Sequence, residues 1–244
     1  MKPSIIRRLN EINRAFYDSF AAQFSQSRTV LQPGIRRALG LMAPFGSLLD
    51  LGCGDARVGR LLVSRHQGAV RYVGVDASEK MLSIARRGAS AADLTLLAAD
   101  LVEDGWQERI PPQQGGFDAA VSFSVLHHLP SGELRLRFLR EVRSLLAPGA
   151  KLALSVWQIL HLPRFRKRIM PWSSAGIDES ELEDGDLLLD WRRGGHGLRY
   201  VHHFDLEELS QLGRTAGLDV LQDYRSDGVT GDLGLYLILR SPGR

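Results

Sequence analysis

Apolar residues return every three or four positions through the start of the chain, at Ile5, Leu9, Ile12, Phe16, Phe20 and Phe24, with polar and charged residues between them. That spacing predicts an amphipathic leader helix with one buried face. A second short helical stretch follows the turn signal Gln32-Pro33-Gly34. From there the pattern changes. SLLDLG, VRYVGVD, LTLLAAD, FDAAVSFS, AKLALSVW, LDVLQDY and LGLYLILR are short apolar runs bounded by Gly, Asp or Pro, and they read as seven buried strands. Helical patterns such as Leu134, Phe138, Val142 and Leu145 lie between the first five, which predicts a parallel sheet with right-handed crossovers. The last two runs have no helix-length gap between them and read as an antiparallel edge pair. Residues 158–203, rich in Arg, Pro, Gly and Trp, interrupt the alternation and read as an inserted cap. The expectation is a single α/β domain with a Rossmann-like, seven-stranded, mostly parallel sheet. It has a helical leader over 1–40, a core over 41–157, the cap over 158–203, and a C-terminal helix and strand pair over 204–244.

Composition adds limits. The 244 residues, 44% hydrophobic and 24% charged, can bury a sizeable core. No apolar run approaches the roughly 20 residues that span a bilayer, and MKPSIIRRLNEINRAF carries charges where a signal peptide needs an apolar stretch. A cytoplasmic protein without a membrane partner is expected. The only cysteine, Cys53, excludes an internal disulfide framework and a multi-cysteine zinc site, and no metal is expected. A net charge of +3 leans toward a polyanionic partner, although arginine-rich faces are also ordinary solvated surface.

The chemistry starts at LLDLGCGDA, Leu48 to Ala56. Gly52 and Gly54 fall where the first strand must turn sharply into a helix while its backbone approaches a ligand, which points to a nucleotide-type ligand. A dinucleotide fingerprint needs a third glycine at 57, where Arg57 would obstruct a pyrophosphate drawn against the helix N-terminus. With Asp50 before the loop and small Ala56 after it, the pattern suits a ligand bearing an ammonium group and a carboxylate. Asp76 ends the second strand, where its carboxylate can accept both hydroxyls of a ribose, and Asp100 ends the third, placed for an adenine amino group. Helix capping is the ordinary alternative for both acids. Cys53 has no activating partner in view and reads as a small loop residue.

LLDLGCGDA, VGVDASEKML, AAD, FDAAVSFSVLHHL and LLAPGAKLALSVW, in that order over about residues 48–157, resemble the ordered motifs of class I S-adenosylmethionine-dependent methyltransferases. The resemblance implies the class I methyltransferase fold, S-adenosylmethionine as cofactor and S-adenosylhomocysteine as product. Carried over position by position, it assigns the amino-acid part of the cofactor to Asp50, Gly52 and Gly54, the ribose to Asp76 and the adenine to Asp100. Cys53, Ala77, Met81, Leu101, Ser122, Phe123 and Tyr17 complete the expected cofactor-contacting set.

The acceptor is sought outside the core, because one fold hosts many substrates. FYDSFAAQFSQSR, GDLLLDW at 185–191, RYVHHFDLEEL at 199–209 and LSVW at 154–157 resemble the tRNA methyltransferases that esterify carboxymethyluridine at the wobble position. The chain has Gln32-Pro33 where that family usually has Trp-Pro. The resemblance implies tRNA as substrate and, as in the eukaryotic enzymes, a small activator protein as partner. A small-molecule O- or N-methyltransferase is the alternative, and an inactive binding partner of the same fold is a third reading, against which the intact acid and glycine positions argue.

A carboxylate acceptor is already ionised at pH 7 and needs no general base. An amine or hydroxyl would call for one, and His127 or His128, in LHHL past the fourth strand, is the candidate. The flanking leucines and the turn HLPSGEL offer a structural reading of both. Arg28 is a catalytic candidate from the leader, and Tyr17 reads either as a lid over the cofactor or as core packing. RFRKR at 164–168, beside Pro171-Trp172, suits phosphate contact and base stacking. Arg164, Arg166, Lys167, Trp157, Trp191 and His202 are the substrate candidates, with Arg192 and Arg193 alongside. Arg135, Arg137, Arg140 and Arg143 read as the solvated side of one helix.

Overall fold

The leader forms helix α1, Pro3–Gln26, and its apolar stripe is buried at Leu9, Ile12, Phe16 and Phe20. Phe20 leaves the helical region at φ −118°, and the helix kinks there. Helix α2, Pro33–Met42, starts on a proline at its first turn, where the missing N–H costs nothing, and buries Ile35, Ala38, Leu39 and Met42. This computed structural model describes residues 1–26, 30–66, 70–87, 94–192 and 195–243.

The core alternates strands and helices: β1 Ser47–Leu51, α3 Arg57–His66, β2 Arg71–Asp76, α4 Glu79–Arg87, β3 Leu94–Ala98, β4 Phe117–Phe123, α5 Gly132–Leu145 and β5 Leu146–Trp157. The chain then runs through α6 Pro163–Arg166, β6 Ile169–Met170, β7 Asp186–Trp191, β8 Gly197–His202, α7 Leu206–Thr215, β9 Asp219–Ser226 and β10 Gly234–Arg240. Among the described residues, seven strands form one sheet in the order β3-β2-β1-β4-β5-β10-β9. The first five are parallel, and β10 runs antiparallel to both β5 and β9. Every one of these strands coincides with an apolar run of the sequence. Apolar clusters cover both faces, as a buried parallel sheet requires. The order reverses between β1 and β4, and in open α/β sheets ligands bind at such a switch point, beyond the carboxyl ends of the strands.

Three features depart from the pattern. The crossover from β3 to β4 holds only a one-turn helix, Trp106–Arg109, because Gly105 and the pair Pro111-Pro112 bracket too short a segment for more. The cap contains a second sheet, β6-β7-β8, fully antiparallel. Hydropathy hides its strands because they bury polar side chains, Asp186, Arg199 and His202. Arg135 is not on the solvated side of α5: it is buried, with Nη2 2.6 Å from Glu183 and Nη1 donating to the carbonyl of Leu129. A buried guanidinium is costly to leave unpaired, and this pair ties α5 to the cap.

Leader and cap are one packing unit. Leu9 and Ile12 of α1 share a cluster with Trp172, Ile177, Leu188 and Tyr200 of the cap. Trp172 is therefore a core residue and not a stacking platform. Asn13 completes the joint, its Oδ1 accepting from the backbone N–H of Tyr200 at 2.9 Å. Among the described residues no helix is long and apolar enough to cross a membrane.

Candidate active site

The loop after β1 is shaped by glycine. Gly52 has φ +75° and Gly54 φ +57°, conformations that side chains disfavour. A Cβ on Gly52 would lie 2.2 Å from Cγ2 of Val125. The N–H groups of Gly52 and Cys53 both donate to the carbonyl of Val75, folding the loop across the end of β2. Gly54 donates to Asp76 Oδ2 at 2.8 Å and Ser78 to Asp76 Oδ1 at 2.9 Å, so one carboxylate holds both the loop and the start of α4.

Three acids stand at the carboxyl ends of β1, β2 and β3 and line one crevice: Asp50, Asp76 and Asp100. Asp50 is only 3% exposed. Burial pushes its carboxyl up to about 7, against a hydrogen bond from the Tyr72 hydroxyl at 2.7 Å that favours the anion. Burial also raises Asp76, against its two backbone donors. Asp100 takes the N–H of Val102 on Oδ1 and pairs with Arg14 Nη2 at 2.7 Å through Oδ2. Cys53 is buried, and burial with the nearby acids holds its thiol well above the usual range, so it stays neutral.

The opposite wall comes from α1. Asn10, Asn13, Arg14, Tyr17 and Asp18 all line the crevice, and their spacing of three and four residues puts them on one helical face. The sequence reading singles out Tyr17 alone. The polar stripe was visible there as the complement of the apolar one, and Arg14 is its consequential member.

His128 lines the crevice, with Nδ1 3.0 Å from the carbonyl of Tyr200 and Nε2 2.8 Å from the Tyr17 hydroxyl. A carbonyl only accepts, which puts a ring proton on Nδ1; in the neutral ring Nε2 is then the acceptor of the Tyr17 proton. Both ring nitrogens are thereby engaged.

The remaining candidates divide. Gly52, Cys53, Gly54, Ala77, Met81, Leu101 and Phe123 line the crevice. Ser122 does not: it is fully buried inside β4, one residue out of phase with Phe123. His127 is fully buried against Trp157, ring centres 4.9 Å apart, behind the wall. Trp157 donates from Nε1 to Ser124 Oγ at 3.0 Å. Trp191 is half-buried against Phe16 and Phe20 of α1. His202 does not line the crevice: it is buried between Asp186 and Glu208, both at 2.8 Å. Burial opposes its charge, the two carboxylates outweigh burial, and its pKa is raised, as a residue that fastens α7 to the cap requires. Arg164, Arg166 and Lys167 are exposed on the outside of the cap and do not line the crevice. Arg28 and Arg193 lie outside the described residues.

Comparison with known proteins adds the family. Residues 24–223 match a family described as a methyltransferase domain. The human protein named "Probable tRNA methyltransferase 9B" is 32% identical over 163 residues, covering 65% of this chain and 32% of that protein, so the match spans about a third of that relative's length. A tRNA (carboxymethyluridine(34)-5-O)-methyltransferase of Schizosaccharomyces pombe is 26% identical over 230 residues, covering 87% of this chain and 91% of that one. A protein described as "the putative methyltransferase", solved in complex with the Haloferax volcanii Trm112 methyltransferase activator, superposes with a TM-score of 0.67 at 18% identity, over 95% of this chain and 98% of that one. At that identity the likeness shows the fold.

Proposed function

The chain belongs to the methyltransferase-domain family, and from that premise we propose that it methylates the carboxylate of a carboxymethylated wobble uridine in tRNA, with S-adenosylmethionine as methyl donor. The crevice fits that donor. Its glycine cradle admits no Cβ at Gly52, Asp50 would hold the ammonium group, Asp76 the ribose hydroxyls, and Asp100 with Arg14 the adenine end. When bound, S-adenosylmethionine supplies an electrophilic methyl, which a carboxylate oxygen takes as the sulfur–carbon bond breaks, the sulfur keeping the electron pair and no proton moving.

The observation that carries the acceptor reading is the commitment of His128. Its Nε2 lone pair is used by Tyr17 and its Nδ1 proton by Tyr200, an arrangement suited to an acceptor that needs no deprotonation. The Schizosaccharomyces pombe relative, similar along most of both chains, supports the same reading. Catalysis then rests on holding the acceptor in line, an effect worth up to roughly 7–11 kcal/mol. A small activator protein is a further proposed partner, supported by the Haloferax volcanii complex.

The test is methyl transfer from labelled S-adenosylmethionine to tRNA carrying 5-carboxymethyluridine, against a metabolite extract. Label in tRNA that mild alkali removes is expected; label confined to small molecules would replace tRNA as the acceptor class. The exposed cationic cap enters the same experiment. Charge reversal at Arg164, Arg166 and Lys167 is expected to weaken tRNA binding and to lower the slope of log affinity against log salt by about 2. An unchanged slope removes the cap from the RNA surface.

Cofactor binding is expected to depend on pH through Asp50. In the free protein its carboxyl titrates at about 7, and an ammonium ligand prefers the anion. Affinity for S-adenosylmethionine therefore falls as pH drops below about 7, approaching tenfold per pH unit. In the ligand-free protein the sign is opposite: this buried acid's folded-state pKa lies above its unfolded value, so its contribution to stability is lost as pH rises through about 7. Calorimetric titration of the wild type and Asp50→Asn across this range checks both. A flat wild-type profile would separate Asp50 from the ammonium.

A further inference from the structure

Arg199, on β8, is 4% exposed, and its guanidinium lies in a box of three aromatic rings. The guanidinium carbon is 4.4 Å from the ring centre of Trp157, 4.8 Å from that of Phe16 and 5.8 Å from that of Trp191. Among the described residues its Nε and Nη1 have no hydrogen-bond partner. The contrast with Arg135, equally buried, is direct: Arg135 has Glu183, whereas among the described residues no carboxylate is paired with Arg199. Tyr17 is its hydrogen-bonding neighbour, and a second cation, Arg168 of the cap, acts on it more weakly. Ring faces offset part of a buried charge but accept its N–H protons poorly. A guanidinium stays protonated even here, so the fold maintains a dry, positive, under-bonded donor set.

That donor set lies one side chain behind the crevice. The Tyr17 hydroxyl stands beside the guanidinium, and Tyr17 lines the crevice against His128. Trp157, packed on Arg199, is fastened to Ser124, which also lines the crevice. We propose that Arg199 is the receptor for the acceptor's carboxylate, reached through the wall formed by Tyr17, Ser124 and His128, with the aromatic box excluding water from the pair. This deepens the acceptor reading above and rests on it. A planar guanidinium matches a carboxylate in shape and charge, and a desolvated pair discriminates strongly against an uncharged analogue that leaves the donors unpaired. The donor cofactor also carries a carboxylate, so the same chemistry has two sources, which the experiment separates.

The experiment compares wild type, Arg199→Met and Arg199→Lys by three measurements: melting temperature, calorimetric affinity for S-adenosylmethionine, and methyl transfer to tRNA carrying 5-carboxymethyluridine. Removal of an unpaired buried cation is expected to leave the melting temperature of Arg199→Met equal to or above that of wild type. Affinity for S-adenosylmethionine stays within about twofold, while KM for the tRNA rises by about 100-fold or kcat/KM falls as far, with Arg199→Lys between. A lowered melting temperature with an unchanged KM makes Arg199 structural. Loss of S-adenosylmethionine affinity instead identifies the cofactor's carboxylate as the occupant, and either result overturns the proposal. Should Arg199→Met fail to fold, Arg199→Lys alone decides by the split between KM and cofactor affinity. Should wild type not methylate the tRNA, the acceptor reading fails by itself, and sodium acetate against sodium chloride then tests the anion site. Acetate must raise the melting temperature of wild type and not of Arg199→Met, and equal effects overturn it.

Discussion

Asp76→Ala is expected to weaken S-adenosylmethionine binding by at least ~100-fold, the largest loss from any single carboxylate. The Asp76 anion accepts from the backbone of Gly54 at 2.8 Å and of Ser78 at 2.9 Å. Hydrogen bonds to a charged group contribute roughly 1.5–3 kcal/mol each. Removing both frees the glycine loop and leaves the first turn of α4 without its anchor, while the ribose loses its proposed acceptor. Asp76→Asn keeps the shape but turns one acceptor into a donor facing an N–H, and an intermediate loss is expected. Calorimetry on the two variants, with circular dichroism to verify the fold, checks the order. Wild-type affinity in folded Asp76→Ala would remove the acid from the cofactor site.

Gly52→Ala is the second. Two costs act together: an L-residue held at φ +75° loses roughly 1–2 kcal/mol, and the new methyl would sit 2.2 Å from Val125 Cγ2. Val125 is the residue before the one-turn helix Leu126–His128 and lines the crevice, so its displacement moves Ser124 and His128 with it. A melting temperature lower by about 5 °C or more and methyl transfer reduced about 100-fold are expected. Gly52→Ala combined with Val125→Ala relieves the steric part and leaves the backbone part, so partial recovery is the expected signature. Full activity in Gly52→Ala alone would show that the loop does not approach the ligand.

Of the site, the half built from local turns was legible. Asp50, Gly52, Gly54, Asp76 and Asp100 lie at strand ends, and a strand end followed by glycine or by a helix start is a local pattern. The half contributed by α1 and the cap was not. Arg14 reads as one more charge on an exposed helix face until Asp100, 86 residues away, is brought to it. His202 reads as a ligand-type histidine beside the site until Asp186 and Glu208 take both of its nitrogens. Ser122 reads as a neighbour of Phe123 until the strand's alternation turns it inward.

The sequence by itself determined the seven strands of the main sheet, the amphipathic leader and the glycine turn at the switch point. Each follows from periodicity or backbone freedom within a few residues, which the chain carries wherever it folds. Only the tertiary structure decided what the cap is. Its strands bury Asp186, Arg199 and His202, residues that hydropathy assigns to water and that stay inside because partners remote in sequence enclose them. For Arg199 those partners are Phe16, Trp157 and Trp191, three rings from three separate segments. Burial of a charge is a property of the assembled surroundings and not of the residue, so it is written in no single stretch of the chain.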